Sequence, residues 1–266
     1  MKTLNLAVIG KDVSKSSSPQ MHAFIAQNMG NSITYEKVSL PENSTFCPEE
    51  LFKKYDGFNV TIPYKLTIIP YLEKVSGDAQ TFGAVNTVTT TDKAGYNTDG
   101  LGFMLMLKNN SVQVAGKKVL LLGAGGAGRS VAKKLADAGA QVYVYDKFHE
   151  NALKVANEFN VTAVQQIELK EYYLIINATG IGMHKTEGVS PVGQDLISLC
   201  TVAVDLIYTP AKSAFLKIAE SLGKQIINGE AMLFYQAYYA ECIYFGLTPD
   251  EEQAKVLFEK YSEVSL

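Results

Sequence analysis

The sequence predicts an α/β protein of two domains with mainly parallel sheets. Three observations carry that expectation. Strand-like and helix-like segments alternate almost throughout the chain, the pattern of repeated βαβ units. Several strand candidates, "KVLLLG", "YLIINAT" and "TVAVDLIY", are bare apolar runs, as a sheet covered by helices on both faces requires. At 266 residues the chain is near the upper limit for one core, so two cores are expected.

In the first half, "LNLAVIG" reads as a strand, 18–30 as a helix, "ITYEKVSL" as a strand and 47–55 as a helix, before the strand "GFNVTIP". A short helix is expected near 64–75. "TDKAG" is a turn signal, so "AVNTVTT" and "GYNTDG" flank a hairpin. From about Leu101 a helix leads away, and "AGKKVLLLGAGGAG" opens a new unit. There "KVLLLG" is a strand, 129–138 a helix, "QVYVYD" a strand and 150–159 a helix. "YLIINAT", "TVAVDLIY" and "KQIIN" are later strands. The aromatic-rich "EAMLFYQAYYAECIYFG" and a last segment from about Pro249 read as helices.

Composition narrows the function classes. The formal net charge is -3 and no basic stripe stands out, so nucleic acid and anionic membranes are not expected partners. The three cysteines, Cys47, Cys200 and Cys242, are far apart and have no metal-ligand spacing. They fit core or surface thiols in a reducing cytoplasm. The opening "MKTLNLAVIG" reads as a buried first strand rather than a signal peptide. Only one arginine is present, Arg129. Anions must therefore be held mostly by lysines, hydroxyls, backbone N–H groups or helix termini.

"VLLLGAGGAG" places Gly123, Gly125 and Gly128 in G-x-G-x-x-G spacing, after a strand and at the start of a helix. "QVYVYD" follows, with Asp146 18 residues after Gly128. That context is the dinucleotide-binding arrangement of a doubly wound, Rossmann-type domain. Gly123 permits the tight turn, Gly125 lets a pyrophosphate approach the backbone, and Gly128 lets helix and strand pack closely. The turn 123–128, with Ala124, Gly126 and Ala127, is the expected phosphate cradle. A carboxylate at Asp146 suits ribose hydroxyls and repels a 2′-phosphate, although Lys147 and His149 are near enough in sequence to meet one.

"FNVTIPYK", 58–65, begins as a strand that Pro63 must stop. Asn59, Thr61 and Lys65 gather around that stop. Taken alone, Lys65 reads as a solvated lysine and Asp99 in "NTDG" as a turn former.

With these residues in view, the chain resembles shikimate dehydrogenases over nearly its whole length. "SSSPQMH" (16–22) is similar to the family's S-x-S-P-x-x-H, and "NVTIPYK" to N-V-T-x-P-x-K. "GAVNT" (83–87), "NTDG" (97–100), "GAGGAGR", "NATGIGM" (177–183), "DLIYTP" (205–210) and "GEAMLFYQA" (229–237) follow in order. The resemblance implies reversible reduction of 3-dehydroshikimate to shikimate, with NADP or NAD as cofactor and no metal. It implies a substrate domain at 1–100 plus 231–266 and a nucleotide domain at 101–230.

By position, Ser16 and Ser18 would bind the substrate carboxylate, with Tyr208 nearby. Thr61, Lys65, Asn86, Asp99 and Gln236 would contact ring hydroxyls. Lys65 and Asp99 would form the proton-transfer pair. Gly229 and Met232 would sit beside the nicotinamide, and Thr179 of "NATGIGM" would join the cofactor site. Asn59 is expected to hold its loop in shape, and His22 to be a packed structural histidine.

The residue types agree with that picture. Shikimate's hydroxyls suit amide, hydroxyl and charged side chains. An alkoxide left by hydride transfer needs a proton, which a lysine ammonium can supply. Two departures stand out: Asp12 and Lys15 replace the family's early proline and histidine, and 146–148 reads Asp-Lys-Phe where NADP users often carry Asn-Arg-Thr. The second departure leans the cofactor expectation toward NAD or dual use. A quinate/shikimate or aminoshikimate dehydrogenase is the nearest alternative, with Ser18 arguing mildly against a quinate specialist. A non-catalytic nucleotide sensor is the alternative of another class. A cytoplasmic monomer or homodimer is expected.

Overall fold

A computed structural model describes residues 3–40 and 47–264. The chain forms two compact units, Met1–Gly102 with Phe234–Leu266, and Phe103–Leu233.

The first unit runs β1 (Thr3–Gly10), α1 (Ser18–Asn28), β2 (Ser32–Ser39), α2 (Pro48–Lys54), β3 (Gly57–Val60), β4 (Lys74–Val75), α3 (Gly77–Phe82), β5 (Thr87–Thr89) and β6 (Ala94–Tyr96). Its sheet order is β2-β1-β3-β5-β6-β4. β1 is parallel to β2 and β3, the β5–β6 hairpin is antiparallel, and β4 runs parallel to β6. The core packs Phe58, Ile9, Val60, Ile68, Val85 and Val88, all buried. α4 (Asp99–Asn109) begins in this unit and ends in the other.

The second unit carries β7 (Lys118–Leu122), α5 (Gly126–Asp137), β8 (Gln141–Tyr145), α6 (His149–Glu158), β9 (Thr162–Ala163), β10 (Tyr172–Asn177), α7 (Gln194–Ser198), β11 (Cys200–Asp205), α8 (Ala214–Ser221) and β12 (Gln225–Ile227). The six strands lie in the order β12-β11-β10-β7-β8-β9, and every pairing is parallel. Counted from β7, this is the 3-2-1-4-5-6 order of a doubly wound dinucleotide fold, with its switch point between β7 and β10. β7 and β10 are almost wholly buried, which is why those segments read as bare apolar runs. α9 (Glu230–Phe245) leads back into the first unit and α10 (Glu251–Val264) completes it.

Several local expectations are corrected. The strand in "GFNVTIP" ends at Val60, three residues early, because the chain turns before Pro63 can interrupt a ladder. The helix expected near 64–75 is a succession of turns with one short 3₁₀ segment at Ile69–Tyr71 and the strand β4. α3, α7, α8 and β9 have no counterpart in the sequence reading. α8 had readable signals: Ser213 caps it by accepting from the Leu216 N–H, and Gly223 follows with φ 68°.

Candidate active site

In the first unit two loops leave the C-terminal ends of the neighbouring parallel strands β1 and β3, the edge where α/β sheets bind ligands. They are tied together. The Thr61 N–H donates to Ile9 O at 2.8 Å and the Lys11 N–H to Ile62 O at 3.1 Å. A Cβ on Gly10 would lie 2.5 Å from Thr61 Cγ2, so a side chain there would push Thr61 away. The Ile62–Pro63 peptide is cis. Beyond it, the Val85 N–H donates to Lys65 O at 2.8 Å.

That path brings Lys65 to the start of α4. Its Nζ donates to Asp99 Oδ2 at 2.6 Å, with the side chains 18% and 11% exposed. Water is thus largely excluded, and the pair's charges are felt more strongly than at an open surface. Asp99 opens α4, where the N-terminal partial charge favours a carboxylate. Its N–H donates to Asn97 Oδ1 at 3.1 Å, and Asn97 Nδ2 to Ala84 O at 2.9 Å.

Asn86 supplies the third member. Its Nδ2 donates to Asp99 Oδ1 at 2.8 Å and to Thr98 Oγ1 at 3.0 Å. Its Oδ1 accepts from Thr87 Oγ1 at 2.9 Å and from the Thr98 N–H at 3.0 Å. All four bonds open to a primary amide are made. Thr98 Oγ1 also lies 3.5 Å from Gln236 Oε1 on α9.

Ser16 and Ser18 form their own pair. Ser16 Oγ donates to Ser18 Oγ at 3.0 Å and accepts from the Ser18 N–H at 3.2 Å. The cap position of α1 is Ser17, whose side chain makes no cap bond. His22 is buried against Glu241, with Nδ1 2.6 Å from Oε1, and stacks on Tyr35. Lys15 and Asp12 are exposed, with Asp12 held below the usual carboxylate range by the Ser14 hydroxyl and N–H.

In the second unit the three glycines differ. Gly123 has φ 101°, and a Cβ there would meet Ala178 C and O at 2.9 Å; a Cβ on Gly128 would sit 2.1 Å from Gly123 O. Gly125 and Gly126 face open space. The first and third are demanded by the protein itself, whereas the middle of the turn is left clear for another group's approach. Asp146 is engaged more fully than its position suggests. Oδ2 accepts from the Ala124 N–H at 2.8 Å, and Oδ1 from the Phe148 N–H at 2.9 Å and Asn151 Nδ2 at 3.3 Å. Lys147 is exposed, with Nζ over the Phe148 ring, and the one arginine, Arg129, pairs with Glu158 at 2.5 Å.

Thr179 donates through Oγ1 to Asn177 Oδ1 at 2.6 Å and accepts from the Ile181 N–H at 3.1 Å. Asn177 in turn donates to Asp205 Oδ1 at 3.0 Å, and Ser213 Oγ donates to Asp205 Oδ2 at 2.5 Å. Burial pushes the Asp205 carboxyl above its usual range, opposed by those bonds and the Ile207 N–H. A Cβ on Gly229 would strike Leu206 O at 2.1 Å, and Met232 is buried. Tyr208 is 42% exposed and lies in this unit, apart in the chain from the first unit's cluster. Thr87, Thr98, Asn177, Asp205 and Ser213 went unassigned in the sequence. "NTDG" and "NATGIGM" contained two of them and "GAVNT" and "DLIYTP" two more, but only the folded contacts reveal their bonds. Among the described residues no group of three or more His, Cys, Asp or Glu is placed to hold a metal, and no helix is long and apolar enough to cross a membrane.

A doubly wound dinucleotide unit and a unit carrying a shielded lysine–carboxylate pair are the parts that a dinucleotide-dependent oxidoreductase of the CH–OH class requires. The comparisons give the particular family. Residues 8–88 match the shikimate dehydrogenase substrate binding domain, and residues 106–193 match shikimate / quinate 5-dehydrogenase. The shikimate dehydrogenase (NADP(+)) of Carboxydothermus hydrogenoformans is 39% identical over 261 residues, 91% of each chain. The crystal structure of a Clostridium acetobutylicum chorismate mutase/shikimate 5-dehydrogenase fusion protein aligns at a TM-score of 0.90 and 34% identity, covering 99% of this chain and 98% of that one. Shikimate 5-dehydrogenase of Thermus thermophilus, in complex with NADP(H) and shikimate, aligns at 0.86 and 36%, covering 97% and 99%. The chain belongs to the shikimate dehydrogenase family.

The glycine geometry makes a prediction. Gly128→Ala is expected to lower the melting temperature by several degrees, because the new methyl meets a backbone oxygen that cannot move aside cheaply. Gly125→Ala is expected to melt within about a degree of wild type. Equal melting of the two variants would show that the turn is not packed as described.

Proposed function

We propose that this chain catalyses the reversible, nicotinamide-dependent reduction of 3-dehydroshikimate to shikimate. The observation that carries the reading is the Lys65–Asp99 pair at 2.6 Å, held by an amide with no spare bond. Ketone reduction leaves an alkoxide. The Lys65 ammonium stabilises that charge and delivers a proton from Nζ; in the other direction the neutral amine takes it back. Asp99 holds Nζ in place and shares a substrate hydroxyl. Thr61, Asn86 and Gln236 read the remaining ring hydroxyls, which an apolar analogue could not satisfy. Ser16 and Ser18 take the carboxylate at the start of α1, where an arginine clamp would otherwise be expected, and Tyr208 is assigned to the same carboxylate.

The nicotinamide cofactor supplies or accepts the hydride when bound. Gly123, Ala124, Gly125, Gly126, Ala127 and Gly128 would cradle its pyrophosphate, and the clear space over Gly125 and Gly126 fits such a group. Asp146 and Lys147 would meet the adenosine ribose, and Thr179, Gly229 and Met232 the nicotinamide side. Of the relatives named above, the Carboxydothermus hydrogenoformans enzyme is an NADP(+) enzyme and the Thermus thermophilus one is in complex with NADP(H). We read this chain as using NAD or both cofactors, because the Asp146 charge opposes a 2′-phosphate.

The test is an activity matrix: shikimate or quinate with NAD or NADP, following nicotinamide absorbance. Turnover of shikimate is expected to dominate, and no reduction with any combination would remove the enzyme reading. Lys65→Ala is expected to lower kcat by roughly a hundredfold or more with a far smaller change in KM; unchanged kcat would take Lys65 out of the mechanism. Asp146→Asn keeps an oxygen for the Ala124 N–H while removing the charge, so the NADP-to-NAD ratio of kcat/KM should rise. Strong NADP preference in the wild type would overturn the reading of Asp146.

A further inference from the structure

We propose that Asn59, together with the hydroxyls of Tyr35, Tyr244 and Thr87, is a positioning relay that holds the Asn86 amide, and through it Asp99 and Lys65, in the geometry turnover needs. The inference rests on the Lys65–Asp99 reading above. Asn59 lies on β3, buried behind the site, and touches neither member of the pair through any described bond.

The bonds run in one direction. Asn59 Nδ2 donates to Asn86 O at 3.1 Å. A carbonyl oxygen only accepts, so the amide cannot be turned over without setting two acceptors against each other. Asn59 Oδ1 must then face the other way, where it accepts from Tyr35 Oη at 2.7 Å and Tyr244 Oη at 3.1 Å. Burial, reinforced by the nearby Glu241 charge, pushes both phenols above their ordinary range, so both stay protonated and able to donate. The second Asn59 Nδ2 proton goes to Thr87 Oγ1 at 3.2 Å. Asn86 Oδ1 can only accept, so the Thr87 hydroxyl gives its own proton to it at 2.9 Å while one of its lone pairs holds the Asn59 bond. That leaves Asn86 Nδ2 for Asp99 Oδ1, and Asp99 Oδ2 for Lys65.

Stability alone does not call for such a chain. A hydrogen-bonded polar set in a core contributes little more than apolar groups of the same shape, while any broken link is expensive. What a satisfied chain does supply is a single geometry. Here it joins β2, β3, β5 and α9 to the first residue of α4, so the carboxylate is located by four other segments of the unit.

Thr87 is the link to test, because shape and hydroxyl can be separated there. Thr87→Val keeps the shape and loses the hydroxyl that links the Asn59 and Asn86 amides. Asn59 Nδ2 retains Asn86 O and Asn86 Oδ1 retains the Thr98 N–H, so the variant is expected to fold. Thr87→Ser keeps the hydroxyl and leaves a methyl-sized void at a fully buried site. The full-length proteins would be compared for melting temperature and for shikimate oxidation. Thr87→Val should lose roughly tenfold or more in kcat, while Thr87→Ser stays within about twofold of wild type although it melts lower. Activity that instead follows melting temperature in both variants, or full kcat in Thr87→Val, would overturn the relay. If Thr87→Val does not fold, the double variant Tyr35→Phe with Tyr244→Phe is expected to show the same kcat loss, and wild-type kcat in it would count against the relay. Lys65→Ala run alongside separates the two readings. An inactive Lys65→Ala with a fully active Thr87→Val removes only the relay, whereas a fully active Lys65→Ala removes the pair beneath it.

Discussion

The placement of the Lys65–Asp99 pair depends on one side chain having no freedom. The Asn86 amide uses both its donors and its oxygen, and its backbone makes more bonds: its N–H donates to Tyr96 O at 2.9 Å, and its carbonyl accepts from the Val60 N–H at 2.8 Å and from Asn59 Nδ2. One residue therefore fastens the end of β3, the β5–β6 hairpin and the start of α4. Each attachment removes a way for Asp99 to drift. In a region with little water, a drifting carboxylate would let its lysine find another partner, since electrostatic attraction there is strong but not directional.

Scarcity of arginine shapes the rest of the site. A guanidinium would bind a carboxylate with two parallel bonds and would fix its own orientation. Lysine is a point charge on a flexible stem, so its orientation must come from elsewhere. Asp99 supplies it from one side, and the backbone bond from the Val85 N–H to Lys65 O supplies it from the other. Arg129 is committed to Glu158 in the second unit.

The second unit solves a parallel problem at the C-terminal ends of its strands. A loop leaving a strand end has lost its ladder partners and needs substitutes. Asp146 after β8 binds the glycine turn that follows β7, while Asn177 at the end of β10 binds its own loop and Asp205 at the end of β11. Asp205 is wholly buried yet accepts from Asn177, Ser213 and the Ile207 N–H, which is how a carboxylate is tolerated there. Polar side chains at the strand ends thus hold in shape the loops that a dinucleotide fold presents to its ligand.

These same residues mark what a sequence can and cannot convey. The parallel sheet was legible because burial on both faces writes itself as uninterrupted apolar runs, and Gly123 and Gly128 because close backbone packing excludes every other residue. The short elements were not legible: β9 has two residues, and the turns at 61–68 are held by bonds to distant strands. Lys65 and Asp99 could be named from motifs, but not their separation in space, which depends on how the chain folds between two positions 34 apart. Asn59 shows the limit best. Its amide is oriented by Tyr35, 24 residues earlier on the chain, and Tyr244, 185 residues later. Neither tyrosine belongs to a motif, since each provides only a hydroxyl at one point in space. A hydrogen bond of that kind has no spacing to read, and it becomes visible only once β2, β3 and α9 have been packed together.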